Sequence, residues 1–134
     1  MPKLQEGYDL DYIVGSVHHV DTIPIDFSAE LFDKAEEKHK GTENLFIAYY
    51  NSQYNLLKQL KPTIIGHFDL IKMYRPDFEL TDEITSVIQR NLEFAVGYGA
   101  LFEINSRYDR VLLESKICIL HVLSLRVSKV IITN

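Results

Sequence analysis

Residues 12–18 read Tyr12-Ile13-Val14-Gly15-Ser16-Val17-His18, a short β-branched run, apolar on both faces, that ends on a histidine. Such a run suits a buried parallel strand, because helices cover both faces of a parallel sheet. The pattern returns after Pro62: Thr63-Ile64-Ile65-Gly66-His67 is again β-branched and again delivers a histidine just past a glycine. A third run, Ala100-Leu101-Phe102-Glu103-Ile104-Asn105, ends in polar side chains. The segments between these runs carry helical spacing. Ser28 stands as the N-cap of a helix over 29–38, whose acidic residues lead and basic residues follow. Gly41 stops that helix and Thr42 caps the next, in which Leu45, Tyr49, Leu56 and Leu60 form one stripe and Phe46, Tyr50 and Leu57 its neighbour, until Pro62 ends it. Thr81 caps a third helix over 82–96, and Gly97-Tyr98-Gly99 breaks it. The stretches 19–27 and 68–80 read as loops, the second with room for a short irregular helix. Further on, 114–125 suits a buried helix and 127–133 a fourth strand. Strands alternating with helices, with polar groups gathered after three successive strands, predict an α/β fold: a mostly parallel sheet, or part of a barrel, that binds at its carboxyl ends.

Composition narrows the class. At 134 residues, 46% hydrophobic and 25% charged, the chain reads as a single domain over 1–134. A complete β/α barrel needs ~250 residues, so only part of one fits. A net charge of -5 without any Lys/Arg run argues against nucleic acid and anionic membrane as partners. The apolar stretch 117–132 is interrupted by His121, Ser124, Arg126, Ser128 and Lys129, which does not suit a membrane span. The lone Cys118 and the polar start Met1-Pro2-Lys3-Leu4-Gln5-Glu6 point to a reducing, cytoplasmic setting.

Chemistry-bearing residues collect at the strand ends. His18 and His67 are 49 positions apart, which is neither a helical metal pair nor a zinc-finger spacing; their claim rests on equivalent topological positions facing one crevice. Neutral imidazoles there can ligate zinc, iron or manganese, or each can be a buried histidine bonded to a loop carbonyl. Asp69 suits a ligand, a histidine-orienting carboxylate or a cap of the following turn. Glu103 and Asn105 offer a carboxylate and an amide to the same crevice, or are solvated strand-end polars. Lys72 and Arg75 suit a phosphate or plain solvation. His19 should point to the face opposite His18 or into the loop; His39 reads as solvated, His121 as a core histidine and Cys118 as a small buried hydrophobe. Tyr49, Tyr50 and Tyr54 have the spacing of core or rim packing. No Gly-x-Ser-x-Gly elbow, phosphate-binding glycine loop or Cys/His nucleophile pair occurs.

The stretch Asp11 to Asp26, with Gly15-Ser16-Val17-His18-His19-Val20 and Ile23-Pro24-Ile25-Asp26, resembles the fungal-type histidinol-phosphatase family of the polymerase-and-histidinol-phosphatase (PHP) superfamily of metal-dependent phosphoesterases. Gly66-His67-Phe68-Asp69-Leu70-Ile71-Lys72 and Glu103-Ile104-Asn105-Ser106 are similar to two further motifs of that family, in the same order. The resemblance runs from about Tyr8 to Ser106. It implies a partial, distorted β/α barrel of the PHP type with mostly parallel strands, and divalent metal ions (zinc, manganese or iron) at the strand ends. The implied reaction is hydrolysis of the small phosphomonoester histidinol phosphate in histidine biosynthesis. Carried over by position, His18 and His67 are the metal ligands, Asp69 stands behind them, and Lys72, Asn105 and Ser106 are on the substrate side.

The departures set further expectations. The family's His-x-His strand and a later acidic ligand precede its first matching motif, and an Asp-x-His pair follows its last matching strand. None of these is found in the 134 residues, and Ser106-Arg107 replaces the family's Thr-Ser. The expectation is the central portion of a phosphatase, weakly active alone. The alternative is a catalytically dead, metal-binding or self-associating fragment of the same fold, joined through open sheet edges.

Overall fold

The computed structural model describes residues 10–105 and 130–133. Among them the short apolar runs become strands that pair in parallel: β1 (Val14–Gly15), β4 (Ile64–Ile65), β5 (Leu101–Asn105) and β6 (Val130–Thr133) form one sheet in the order β1-β4-β5-β6. The register sets Val14 opposite Ile64 and Ile64 opposite Leu101, so all four strands deliver their carboxyl ends to one side. The stretch 19–27 is more than a loop. It holds an antiparallel hairpin of β2 (His19–Val20) and β3 (Ile23–Pro24), turned by Asp21 and Thr22 at φ 46 and 71. Two positive φ values are what a two-residue hairpin turn needs, and here non-glycine residues adopt them.

Three helices fill the crossovers: α1 (Ala29–Lys38), α2 (Thr42–Leu60) and α3 (Asp82–Gly97). Ser28 Oγ accepts from the Leu31 amide at 3.2 Å and Thr81 Oγ1 from that of Ile84 at 3.3 Å, so both expected caps are in place. The expected cap at Thr42 is not. Gly41 occupies that position at φ 134, which favours glycine, and the Thr42 hydroxyl instead donates to Glu36 Oε1 at 2.8 Å, tying α2 back to α1. At the far end Lys61 turns left-handed, its amide bonds Leu57 O, and Pro62 begins the descent into β4.

The core lies between the sheet and the helices. Phe32, Leu45, Phe46, Leu57, Ile65 and Phe102 are buried, each contributing about 1.5–3 kcal/mol in transfer free energy. Leu56 and Leu60 of the expected stripe are half-buried. Burial of the first strand is one-sided. Val17 is buried, but Tyr12 and Val14 are 59% and 54% exposed, because no described strand pairs with the outer edge of β1. Gly15 is required where the chain passes beneath the end of α2: a Cβ there would lie 2.7 Å from Pro62 Cγ and 2.9 Å from Leu56 Cδ2. The segment 68–80 contains a single 3₁₀ turn, Leu70–Lys72. Of the expected strand at 127–133, residues 130–133 are observed as β6; residues 127–129, the expected helix at 114–125 with Cys118 and His121, and Ser106 lie outside the described residues. No described helix is long and apolar enough to cross a membrane.

Candidate functional site

Parallel pairing of β1 with β4 brings the two strand-end histidines together. The His18 and His67 rings lie 5.8 Å apart between centroids, nearly perpendicular at 78°. Each ring is approached by a carboxylate from elsewhere in the chain. His18 Nδ1 is 2.7 Å from Asp26 Oδ2, and His67 Nδ1 is 3.5 Å from Glu103 Oε2.

Asp26 reaches His18 because the hairpin doubles the chain back, closed by the Ile25 amide on His18 O at 3.0 Å. An ionised carboxylate only accepts, so Nδ1 of His18 carries a proton, and in the neutral ring Nε2 is left as the acceptor. That assignment makes the Ser16 hydroxyl, 3.0 Å from Nε2, a donor to it. A carboxylate on Nδ1 is the arrangement that orients a metal-ligating histidine, whose Nε2 lone pair is taken here by the Ser16 hydroxyl. The hairpin is fixed at its tip. His39 Nε2 lies 3.0 Å from Asp21 Oδ2, and Lys38 Nζ donates to Asp21 O at 3.2 Å. His39, expected to be solvated, is thus only 15% exposed, because the turn ending α1 folds it against the hairpin.

His67 is held in a left-handed conformation, φ 49, at a cost of about 1–2 kcal/mol for a residue with a Cβ. Its amide donates to Glu103 Oε2 at 3.3 Å. Gly66 leaves space for that carboxylate, since a Cβ at Gly66 would stand 3.3 Å from Glu103 Oε2. On the other side the Tyr49 hydroxyl of α2 lies 3.1 Å from His67 O and 3.2 Å from Phe68 O. Burial, and then the charge of Asp69, push the Tyr49 phenol far above its ordinary pKa, so it stays a protonated donor.

The other expected residues are distributed unevenly. Asp69 begins the 3₁₀ turn without a side-chain cap bond, so its backbone rather than its carboxylate organises that turn, accepting from the Lys72 amide at 3.0 Å. Lys72 ends the turn, half-buried. Asn105 closes β5 opposite Thr133. Arg75 is neither a solvated charge nor a free phosphate holder. Its Nη2 lies 2.8 Å from Asp33 Oδ1 and 2.6 Å from Glu36 Oε2, and its guanidinium lies 5.2 Å from the Phe32 ring centroid, clamping the loop to α1. Its pKa is raised, first by the Asp33 hydrogen bond. His19 is exposed in β2.

Two imidazoles, each with a carboxylate near its Nδ1, fit a divalent ion in kind. Among the described residues no group of three or more His, Cys, Asp or Glu side chains is gathered to complete its coordination. Sequence reasoning passed over Asp26, Ser16 and Tyr49. Ser16 was accessible in principle, being two residues before His18 on the same strand-end face; Asp26 and Tyr49 act only through tertiary structure.

Comparison with known proteins adds to this geometry. A family model described as PHP domain matches residues 2–107. The chain is 49% identical over 113 residues to a protein named probable histidinol-phosphatase from Schizosaccharomyces pombe, covering 79% of this chain and 37% of that protein. It is 32% identical over 137 residues to the histidinol-phosphatase of Saccharomyces cerevisiae, covering 83% of this chain and 41% of the relative. The chain therefore spans about two-fifths of the length of these relatives.

Proposed function

The chain belongs to the PHP domain family, and on that premise we propose that it is part of a metal-dependent phosphomonoester hydrolase that converts histidinol phosphate to histidinol and phosphate in histidine biosynthesis. Residues 1–134 would form one domain whose parallel strands belong to a distorted β/α barrel, working in the cytoplasm without nucleic acid or membrane as partners. The observation that carries the reading is the convergence of His18 and His67, each with a carboxylate at Nδ1, at the carboxyl ends of adjacent parallel strands.

A zinc, manganese or iron ion, when bound, would supply a water acidified towards pKa ~7 and would neutralise charge on the phosphoryl oxygens. His18 and His67 would hold that ion through ring nitrogens, with Asp26 orienting the His18 ring and Glu103 holding the His67 backbone. Asp69 positions the loop after β4, and Lys72, Asn105 and Ser106 meet the substrate; a cation, an amide and a hydroxyl suit phosphate oxygens and the polar body of an amino alcohol. The exposed outer edge of β1 supports self-association through the open sheet as a further property.

The test is turnover of histidinol phosphate with added manganese or zinc, and its loss on chelation. Activity that survives His18→Ala and His67→Ala together would refute the assigned roles. Stoichiometric metal uptake without turnover would favour the alternative, a catalytically dead metal-binding fragment, which the limited ligand set among the described residues also suits.

A further inference from the structure

Three polar side chains are buried in the helical layer, at positions where helical spacing calls for hydrocarbon. Tyr49, Gln53 and Asn91 are 0%, 2% and 0% exposed. They form one chain of hydrogen bonds. Asn91 Nδ2 donates to Tyr50 O at 2.7 Å and to Gln53 Oε1 at 3.0 Å. Gln53 Nε2 donates to Phe68 O at 2.9 Å. Tyr49 then places its hydroxyl between Phe68 O and His67 O in a three-centre contact. The chain starts between α3 and α2 and ends on two consecutive carbonyls, one of them belonging to the left-handed His67.

A core that needed only volume would hold Phe, Leu or Met at these positions and avoid desolvating amides and a phenol. The polar atoms are matched to one loop, and that loop contains a backbone conformation that a residue with a Cβ does not hold without support. The amide of His67 is taken by Glu103 from β5, and its carbonyl by Tyr49 from α2 together with the Leu70 amide at 3.1 Å, so the residue is gripped from both sides.

We propose that Tyr49, backed by Gln53 and Asn91, is a positioning residue for His67: it keeps the His67–Phe68 backbone in the left-handed turn that presents the imidazole to His18. The functional part of this inference rests on the reading of His67 as a metal ligand. The backbone part does not.

The experiment compares Tyr49→Phe with Tyr98→Phe in the full 134-residue chain. Tyr98 also donates to a carbonyl, Pro62 O at 2.9 Å, but away from the histidines, so it controls for loss of a tyrosine hydrogen bond. Two readouts are taken: cobalt(II) titration followed by its visible spectrum, and the amide-to-Hα coupling of His67, which reports φ. Tyr49→Phe is expected to shift the coupling out of the left-handed range and to weaken cobalt binding about tenfold or more, as loss of partners behind a ligand does; Tyr98→Phe changes neither. If Tyr49→Phe keeps the wild-type coupling, or binds cobalt as wild type does while wild type binds well, the inference is overturned. A wild-type chain that takes up no cobalt overturns the metal reading instead, and the coupling alone then decides the positioning of His67. If Tyr49→Phe fails to fold, Gln53→Met, which removes the donor to Phe68 O while filling the space, is read the same way.

Discussion

Replacing Asp26 with Asn tests the site most directly, because it preserves shape and removes only the charge that sets the His18 tautomer. In the native chain the 2.7 Å contact to Asp26 Oδ2 keeps the proton on Nδ1 and leaves Nε2 with its lone pair. An asparagine amide can donate to Nδ1, which moves the proton to Nε2 and removes the lone pair that a metal would need there. A charge-assisted hydrogen bond contributes about 1.5–3 kcal/mol. The His18 and Asp26 side chains are 40% and 29% exposed, so solvent screening favours the lower end. About 1.4 kcal/mol is tenfold in affinity, so Asp26→Asn should weaken binding of manganese or zinc by about tenfold. Calorimetric metal titration measures this, and ring nitrogen chemical shifts of His18 report the tautomer. Asp33→Asn, which changes the net charge equally but acts on the Arg75 clamp, controls for general electrostatics. If Asp26→Asn binds metal like wild type with His18 still protonated at Nδ1, the carboxylate does not orient this ring and the reasoning fails.

Further outcomes are expected from the scaffold. Gly15→Ala drives a methyl into Pro62 and Leu56 and should cost about 1–3 kcal/mol in urea denaturation, with metal binding falling alongside because β1 carries His18. Asn91→Ala withdraws the donors to Tyr50 O and Gln53 Oε1 and should cost about 1–3 kcal/mol by the same assay; a neutral result would mean that water enters the helical layer. Burial pushes the Tyr98 pKa up to about 12, and the Tyr49 pKa also rises, so the folded state holds these protons more tightly than the unfolded chain. The associated stability is complete below the unfolded value near pH 10 and is lost as pH rises through about 12. Denaturation midpoints should therefore fall across that window and fall less in Tyr98→Phe.

The order of elements was legible because their signals are local. Ser28 and Thr81 cap where their types predict, Pro62 ends a helix, and three short runs, two of them β-branched, deliver polar residues to one end of a parallel sheet. That topology made the meeting of His18 and His67 readable from two strands. The partners of those histidines were less readable, since each depends on a conformation that no spacing encodes. Asp26 faces His18 only through a hairpin whose turn uses Asp21 and Thr22 in left-handed geometry. Tyr49 has the helical spacing of a core residue and is one, but its hydroxyl acts on a loop beyond its own helix. His39 and Arg75 looked like solvated charges because their carboxylate partners lie in other segments.

Parallel pairing also determines when the site forms. Antiparallel neighbours can close through a turn of two residues, whereas Val14 meets Ile64 only after two helices and the loops around them have been ordered. Loop closure on that scale makes folding slow relative to helical domains, and the contact between the histidines is among the most distant in sequence. Segments that unfold partially, by releasing β1 or the end of α2, would keep much of their helix yet separate the two imidazoles. Hydrogen exchange of the Gly66 amide, which donates to Gly15 O across the β1–β4 pair, would then report the fraction of molecules whose site is assembled, a quantity that helical content alone would overstate.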